Sequence, residues 1–197
     1  HDALRMNAFL KANITKDLTL NVDYTYQIDN FNSKTSDHSV YGMNWAGTAP
    51  GYIVTPSNAN ATRSNSKSNS WVANAYMNYA HSFNDTHNLN VMVGVNGENF
   101  TSDYFSAMRK KLYDEAFPEL NLAYGEMKDA VIDSNTDDHS SAGYFGRINY
   151  DYKGIYLLEL NGRYDGSSKF RAGDRWAFFP SFSLGYRFTE EPYWKNL

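Results

Sequence analysis

Residues 144–165 read YFGRINYDYKGIYLLELNGRYD, and two alternating patterns meet in them. Tyr144, Ile148, Tyr150 and Tyr152 alternate with Phe145, Arg147, Asn149 and Asp151. Past the glycine, Tyr156, Leu158, Leu160 and Tyr164 alternate with Leu157, Glu159, Asn161, Arg163 and Asp165. Period two marks strands with one apolar and one polar face. DYKGI suits a three-residue hairpin with Gly154 in the left-handed position, pairing Asp151 with Ile155. Counting back sets Arg147 opposite Glu159, so a cross-strand ion pair is expected on the polar wall. On an open soluble surface the same pair is worth well under ~1 kcal/mol.

Working outward, the same alternation yields seven strands, near Leu4–Ile14, Leu18–Ile28, Trp71–Tyr79, Leu89–Asn96, Tyr144–Tyr152, Tyr156–Asp165 and Trp176–Phe188. Between them, Asn30–Asn69 and Asn99–Ser140 lack sustained periodicity and read as long loops; SAMRKKLYDEAFPEL in the second is a candidate short helix before Pro118. Short and long connections therefore alternate, which a compact sandwich has no reason to do. Outer-membrane barrels do it, with short turns at one rim and long loops at the other. The expected fold is all-β: an antiparallel up-and-down transmembrane β-barrel segment with long extracellular loops.

Alternation alone does not separate a barrel from a soluble sheet, because both show one apolar face. The order of residues along that face does. Trp71, Ala73, Ala75, Met77, Tyr79 and Tyr156, Leu158, Leu160, Gly162, Tyr164 both place aromatics at the ends and small or aliphatic residues between. Rings with an apolar body and a polar tip settle at a membrane boundary. No charge falls in the middle of any apolar face, whereas Asp23, Arg147, Glu159 and Arg163 lie on the polar one.

Composition narrows the function classes. The 197 residues carry a formal charge of −4 with dispersed basic residues, which leaves no electrostatic footprint for nucleic acid. The absence of cysteine removes disulfides, thiolate metal sites and cysteine nucleophiles. A mean hydropathy of −0.62 and no apolar run near ~18 residues exclude helical spans. No enzyme is expected: the five histidines show neither HExxH spacing nor an ordered triad. His81 and His87 bracket SFNDT and DSNTDDHS at 133–140 has the oxygen-rich look of a calcium loop, but neither pattern is complete, so no metal and no cofactor is expected. Sugar binding favours exposed aromatics beside amides, a set that Tyr41, Asn44, Trp45 and Tyr52 offer in the first long loop. Packing within the loop or against a lid protein is the other reading of those four.

At Phe145–Trp194 a resemblance enters. GRINYDYKGIYLLEL, RYDGSSKF, WAFFPSFSLGYRF and EEP occur here in the order and spacing of the SusC/RagA family of TonB-linked outer-membrane transporters of Bacteroidetes-type bacteria, which this quarter of the chain closely resembles. On that resemblance Asp165, Gly166, Ser167, Ser168, Phe170, Phe179, Pro180, Ser181, Glu190, Glu191 and Pro192 are family motif residues with structural roles. It also implies a barrel of about 22 strands around a plug, a SusD-type lipoprotein over the mouth, energy from TonB, and an oligosaccharide or peptide as cargo. Residues 1–197 are then expected to be a partial barrel domain without plug, a view favoured by a start at His1 and by the odd strand count. The alternative is a soluble β-rich carbohydrate-binding module using Trp45, Trp71 and Trp176 as platforms.

Overall fold

The computed structural model describes residues 1–43 and 46–195. Seven strands form one sheet in the order β1 (Asp2–Asn13), β2 (Leu18–Asp37), β5 (Asn60–Phe83), β6 (His87–Lys110), β7 (Val131–Tyr152), β8 (Tyr156–Ser167) and β9 (Trp176–Tyr186). Between β2 and β5, β3 (Val40–Met43) and β4 (Pro50–Val54) pair as a separate hairpin. Sheet neighbours follow chain order, so the connectivity is up-and-down as expected.

The turns explain the registers. Asn84 and Asp85, both at positive φ, join β5 to β6 with Thr86 N–H donating to Phe83 O, the mirror-image turn that suits strand twist. From β7 to β8 the same geometry falls on Lys153 (φ 56°) and Gly154 (φ 70°). Gly154 is left-handed as expected, but the loop is displaced by one residue. Asp151 Oδ1 accepts from Gly154 N–H at 2.6 Å and Tyr152 O accepts from Ile155 N–H at 3.0 Å, so Tyr152 rather than Asp151 closes the ladder, opposite Tyr156. Arg147 therefore faces Asn161, and Glu159 faces Asn149. The expected Arg147–Glu159 pairing is corrected by that two-residue shift, which leaves both on the same face.

Both long loops are largely strand. β2 continues to Asp37, β5 begins at Asn60, β6 runs to Lys110 and β7 starts at Val131, absorbing DSNTDDHS. The expected helix is absent: Ser106–Lys110 finish β6, and single 3₁₀ turns form at Leu120–Leu122 and Met127–Asp129. In these extensions polar residues occupy both faces, so no hydropathy signal survives. Cross-strand bonds still hold them, including Asn65 to Asn30 and Asn32, and Thr136 to Asp103.

Contacts divide the chain into two compact units. The first (1–4, 28–69, 101–137) has a small core of Ala59, Ala61, Leu112 and Ala123, with Leu120 packed on it. The second (5–27, 70–100, 138–197) buries Ile155 but leaves its large apolar side chains outside, Phe182 and Leu184 being 76% exposed. A soluble sheet needs a second layer over its apolar face; among the described residues of this unit none is present.

Candidate functional site

In the second unit the β7–β9 registers sort the side chains into rows across three strands. At one end Ala142, Gly166 and Trp176 align; at the turn end Tyr152, Tyr156 and Tyr186 do; Ile148, Leu160 and Phe182 lie between. The end rows are aromatic clusters. Trp176 stacks with Tyr164 at 5.0 Å and Tyr144 at 6.0 Å; Tyr156 stacks with Tyr186 at 5.2 Å and meets the tilted Tyr152 ring at 6.2 Å. Ten residue steps separate them, roughly 33 Å along a strand and about 23 Å in height at 45° tilt, close to the ~25 Å apolar band of a membrane barrel. The phenols of Tyr156 and Tyr186 both donate to Glu191 Oε1, a polar anchor at the edge of the row.

The opposite face is polar and charged. Arg163 grips Asp165 with two bonds of 2.8 and 3.0 Å, donates to Asn96 Oδ1 at 3.3 Å and lies over the Phe145 ring at 5.4 Å. Arg147 Nε donates to Asn161 Oδ1 at 2.8 Å while Asn161 Nδ2 donates to Glu159 Oε1 at 2.7 Å. The amide thus bridges the two charges that the sequence register had paired directly. Further bonds join Asn74 to Asp23, Ser141 to Glu98 and Asn88 to Asp151. Aromatic bulk is accommodated over glycine: a Cβ on Gly94 would sit 2.5 Å from Phe145 Cζ and 2.6 Å from Tyr76 Cβ.

In the first unit, residues 111–130 between β6 and β7 form an ordered strap. Leu112 bridges to Ala123, and Lys111 N–H donates to Ala59 O at 2.8 Å. Arg109 donates to the strap carbonyls of Leu120 at 3.2 Å and Gly125 at 3.0 Å. Glu119 is the strap's main polar tether: it accepts from Lys34 at 2.7 Å and from Arg63. Those two donors hold its carboxyl down at about 2. Glu115 is lowered by bonds from Ser39, through hydroxyl and backbone amide, with His38 adding a little.

The residues singled out from sequence are distributed as follows. Tyr41 and Tyr52 oppose each other on the β3–β4 hairpin, rings 5.1 Å apart and edge-on, and remain more than half exposed; Asn44 and Trp45 lie outside the described residues. Asp165 is the Arg163 partner, and Gly166 lies beneath the Trp176 ring, 2.6 Å from where its Cβ would stand. Ser167 N–H donates to Arg175 O; Ser168 N–H donates to Ser140 O, and its hydroxyl accepts from Ser140 N–H; Phe170 O accepts from Arg175. Phe179, Pro180 and Ser181 stand opposite Arg163, Gly162 and Asn161. Glu190 ends a 3₁₀ turn, Glu191 takes the two phenols, and Pro192 opens the short helix Pro192–Lys195. His81 and His87 are engaged separately, by Asp17 at 2.9 Å and Tyr150 at 2.6 Å. Among the described residues no cluster of three metal-ligating side chains occurs. Sequence reasoning missed Lys34, Arg63, Arg109 and Glu119. Their only sequence mark is charge, Lys34 and Arg63 in Asn- and Ser-rich stretches, Arg109 and Glu119 within SAMRKKLYDEAFPEL.

An apolar band between aromatic rows on one face, with charges and amides on the other, defines a β-barrel wall. Comparison with known proteins agrees. A family model described as TonB dependent receptor-like, beta-barrel, matches residues 3–194. The chain belongs to this TonB-dependent receptor β-barrel family, a family of outer-membrane transport receptors and not of enzymes. The TonB-dependent receptor SusC of Bacteroides thetaiotaomicron is 32% identical over 124 residues, 63% of this chain and 12% of that protein. TonB-dependent receptor P26 of Formosa agariphila is 26% identical over 145 residues, 74% of this chain and 14% of that protein. A structure of the RagAB peptide transporter superposes with a TM-score of 0.81 at 17% identity, over 95% of this chain and 20% of that one, a likeness of fold. The chain thus spans a small fraction of the length of these receptors.

Proposed function

We propose that the chain is a stretch of barrel wall, with its cell-surface connections, from an energised outer-membrane importer of oligosaccharides or oligopeptides. Residues 1–197 act as part of the barrel domain; the plug and the segment that engages TonB belong to other parts of the whole receptor. A SusD-type surface lipoprotein is the partner expected at the mouth. The observation that carries this reading is the paired aromatic rows of Trp176 and Tyr156 enclosing the Leu160–Phe182 band, with Arg147, Glu159 and Arg163 on the opposite face. Lipid on the first face satisfies the apolar surface, and water or cargo on the second satisfies the charges. SusC among its relatives and RagAB among its structural neighbours favour the substrate range. In this reading transport involves no covalent chemistry: cargo is held between barrel and lid until the plug moves.

The test is uptake by cells of a Bacteroidetes-type host carrying the full-length receptor, supplied with fluorescent oligosaccharides and oligopeptides. Uptake that stops when the proton gradient is collapsed or TonB is deleted is the expected result. A receptor recovered in the soluble fraction, or uptake indifferent to both treatments, overturns the proposal. The soluble module gains no support from Phe182 and Leu184, whose 76% exposure would leave them in water.

A further inference from the structure

At the turn end of the second unit, two opposite charges flank one row of phenol rings. β8 starts there at Tyr156 and β9 ends at Tyr186; the two rings stack at 5.2 Å and each is about half exposed. The segment after β9 folds back onto them. Tyr186 bonds the Tyr193 hydroxyl at 3.0 Å, and Glu191 Oε1 accepts from Tyr156 at 2.8 Å and from Tyr186 at 3.3 Å. Two neutral donors satisfy a carboxylate without cancelling its charge, and both fall on one oxygen, so Oε2 keeps its capacity to accept. The opposite charge sits at the β7–β8 turn. Lys153 holds its ammonium 5.2 Å from the centre of the Tyr152 ring, which lies 6.2 Å from Tyr156. That turn is fixed in place: Lys153 N–H donates to Thr86 O at 2.7 Å, and Gly154 N–H to Asp151 at 2.6 Å. Along the row the order is therefore cation, rings, anion.

We infer that this row seats the headgroup of a zwitterionic, amine-bearing phospholipid, its phosphate on Lys153 and its ammonium on Glu191. The inference rests on the proposed reading in which lipid covers the Leu160–Phe182 band. The Tyr152, Tyr156 and Tyr186 rings bound that band, and such rings lie at headgroup level. Charge then selects the headgroup. One that carries only negative charge gains Lys153 but is repelled by Glu191, whereas one with a phosphate and an ammonium gains both. The ammonium is further attracted by the faces of the half-exposed phenol rings. In such a headgroup the two charges are two carbons apart, a separation of the order of the ~4.8 Å between neighbouring strands. Lys153 and Glu191 lie on either side of the Tyr152–Tyr156 pair, so a hydrogen bond at each end completes the span.

The test is lipid retention by the purified full-length receptor, delipidated in detergent and titrated with phosphatidylethanolamine or phosphatidylglycerol, the first lipids retained being counted by native mass spectrometry. Phosphatidylethanolamine is expected to be retained about three- to fivefold more strongly, the scale of one exposed charge pair. Glu191→Gln, which keeps an oxygen for the two phenols and so keeps the fold of the segment, is expected to abolish that preference. Lys153→Asn, a residue that tolerates the left-handed φ of 56° at this position, is expected to weaken both lipids alike and to leave the preference in place. Equal retention of the two lipids, stronger retention of phosphatidylglycerol, no lipid retained, or a preference that survives Glu191→Gln overturns the inference. Lost uptake beside a retained lipid preference sinks only the importer reading, and a receptor that imports without the preference sinks only this one.

Discussion

The two units both expose large apolar side chains, but only in the first does a strap close over a small apolar cluster. In the second, Phe182, Leu184, Tyr144 and Phe178 are more than half exposed, and the polar side chains bond one another on the opposite face. In the first, the covered apolar residues are mostly small, Ala59, Ala61 and Ala123, and a strap is fastened over them by the Glu119 tether and by two backbone carbonyls on Arg109. Strands β2, β5, β6 and β7 supply residues to both units. On the proposed reading, one chain architecture serves two solvents. Where lipid is the solvent, large apolar residues point outward at no cost; in an aqueous loop region, a strap needs specific tethers because its hydrophobic return is small.

The largest effect expected to break this contrast is Leu160→Arg. If lipid touches the Ile148–Leu160–Phe182 row, the guanidinium costs about 2–4 kcal/mol, read as unfolding of the full-length receptor from lipid vesicles in urea. Ser181→Arg, on the opposite face of β9, is expected to stay within ~0.5 kcal/mol. Equal costs for the two would mean that the faces do not see different solvents.

Gly94→Ala comes next. Its Cβ would fall 2.6 Å from Tyr76 Cβ and 2.5 Å from the Phe145 ring, and overpacking of that kind costs typically 1–3 kcal/mol. Gly97→Ala, which meets Trp71 at an ordinary 3.5 Å, is the control and is expected to be nearly silent in the same unfolding assay.

Glu119→Gln sharpens the account of the strap. Its effect is local: severalfold faster hydrogen exchange at Leu122 and Tyr124, whose amides donate to Glu119 O and Lys111 O, with little change in the second unit. The carboxyl is depressed from 4.5 to about 2, so in the unmodified protein its tether is fully present above pH 4.5 and is lost as pH falls through about 2. Exchange in the strap is therefore expected to be insensitive to the state of Glu119 between pH 7 and 5. A tether that already loosened across that range would mean that Lys34 and Arg63 do not hold the carboxylate. The smallest effect is Lys128→Ala. Its bond to Glu126 joins two largely exposed side chains, and such pairs contribute between nothing and ~1 kcal/mol; no measurable shift in strap proteolysis is expected.

The wall was legible because its signal is written in hydropathy. Tyr156, Leu158, Leu160 and Tyr164 announce both the strand and its aromatic ends, and the spacing of motifs after Phe145 announces the family. Register was less legible. Gly154 marks the turn, but whether Asp151 or Tyr152 closes the ladder depends on the Asp151 bond to the Gly154 amide, which a glycine count does not contain. The extensions of β2, β5, β6 and β7 were read as loops because Asn, Ser and Thr on both faces leave no period for a sequence pattern to show.

By itself the sequence determined an up-and-down sheet and the face that carries its apolar residues, because alternation and aromatic spacing are local along each strand; the motifs after Phe145 carried the resemblance to receptor barrels. The tertiary structure alone decided that Asn161 mediates between Arg147 and Glu159, that a strap closes over Ala59 and Ala61, and that Glu119 meets Lys34 and Arg63. Apart from the Asn161–Glu159 bond within one strand, those contacts join residues 14 to 85 positions apart. Hydrogen bonds at such separations are fixed by strand register and loop closure, which no window along the chain can hold.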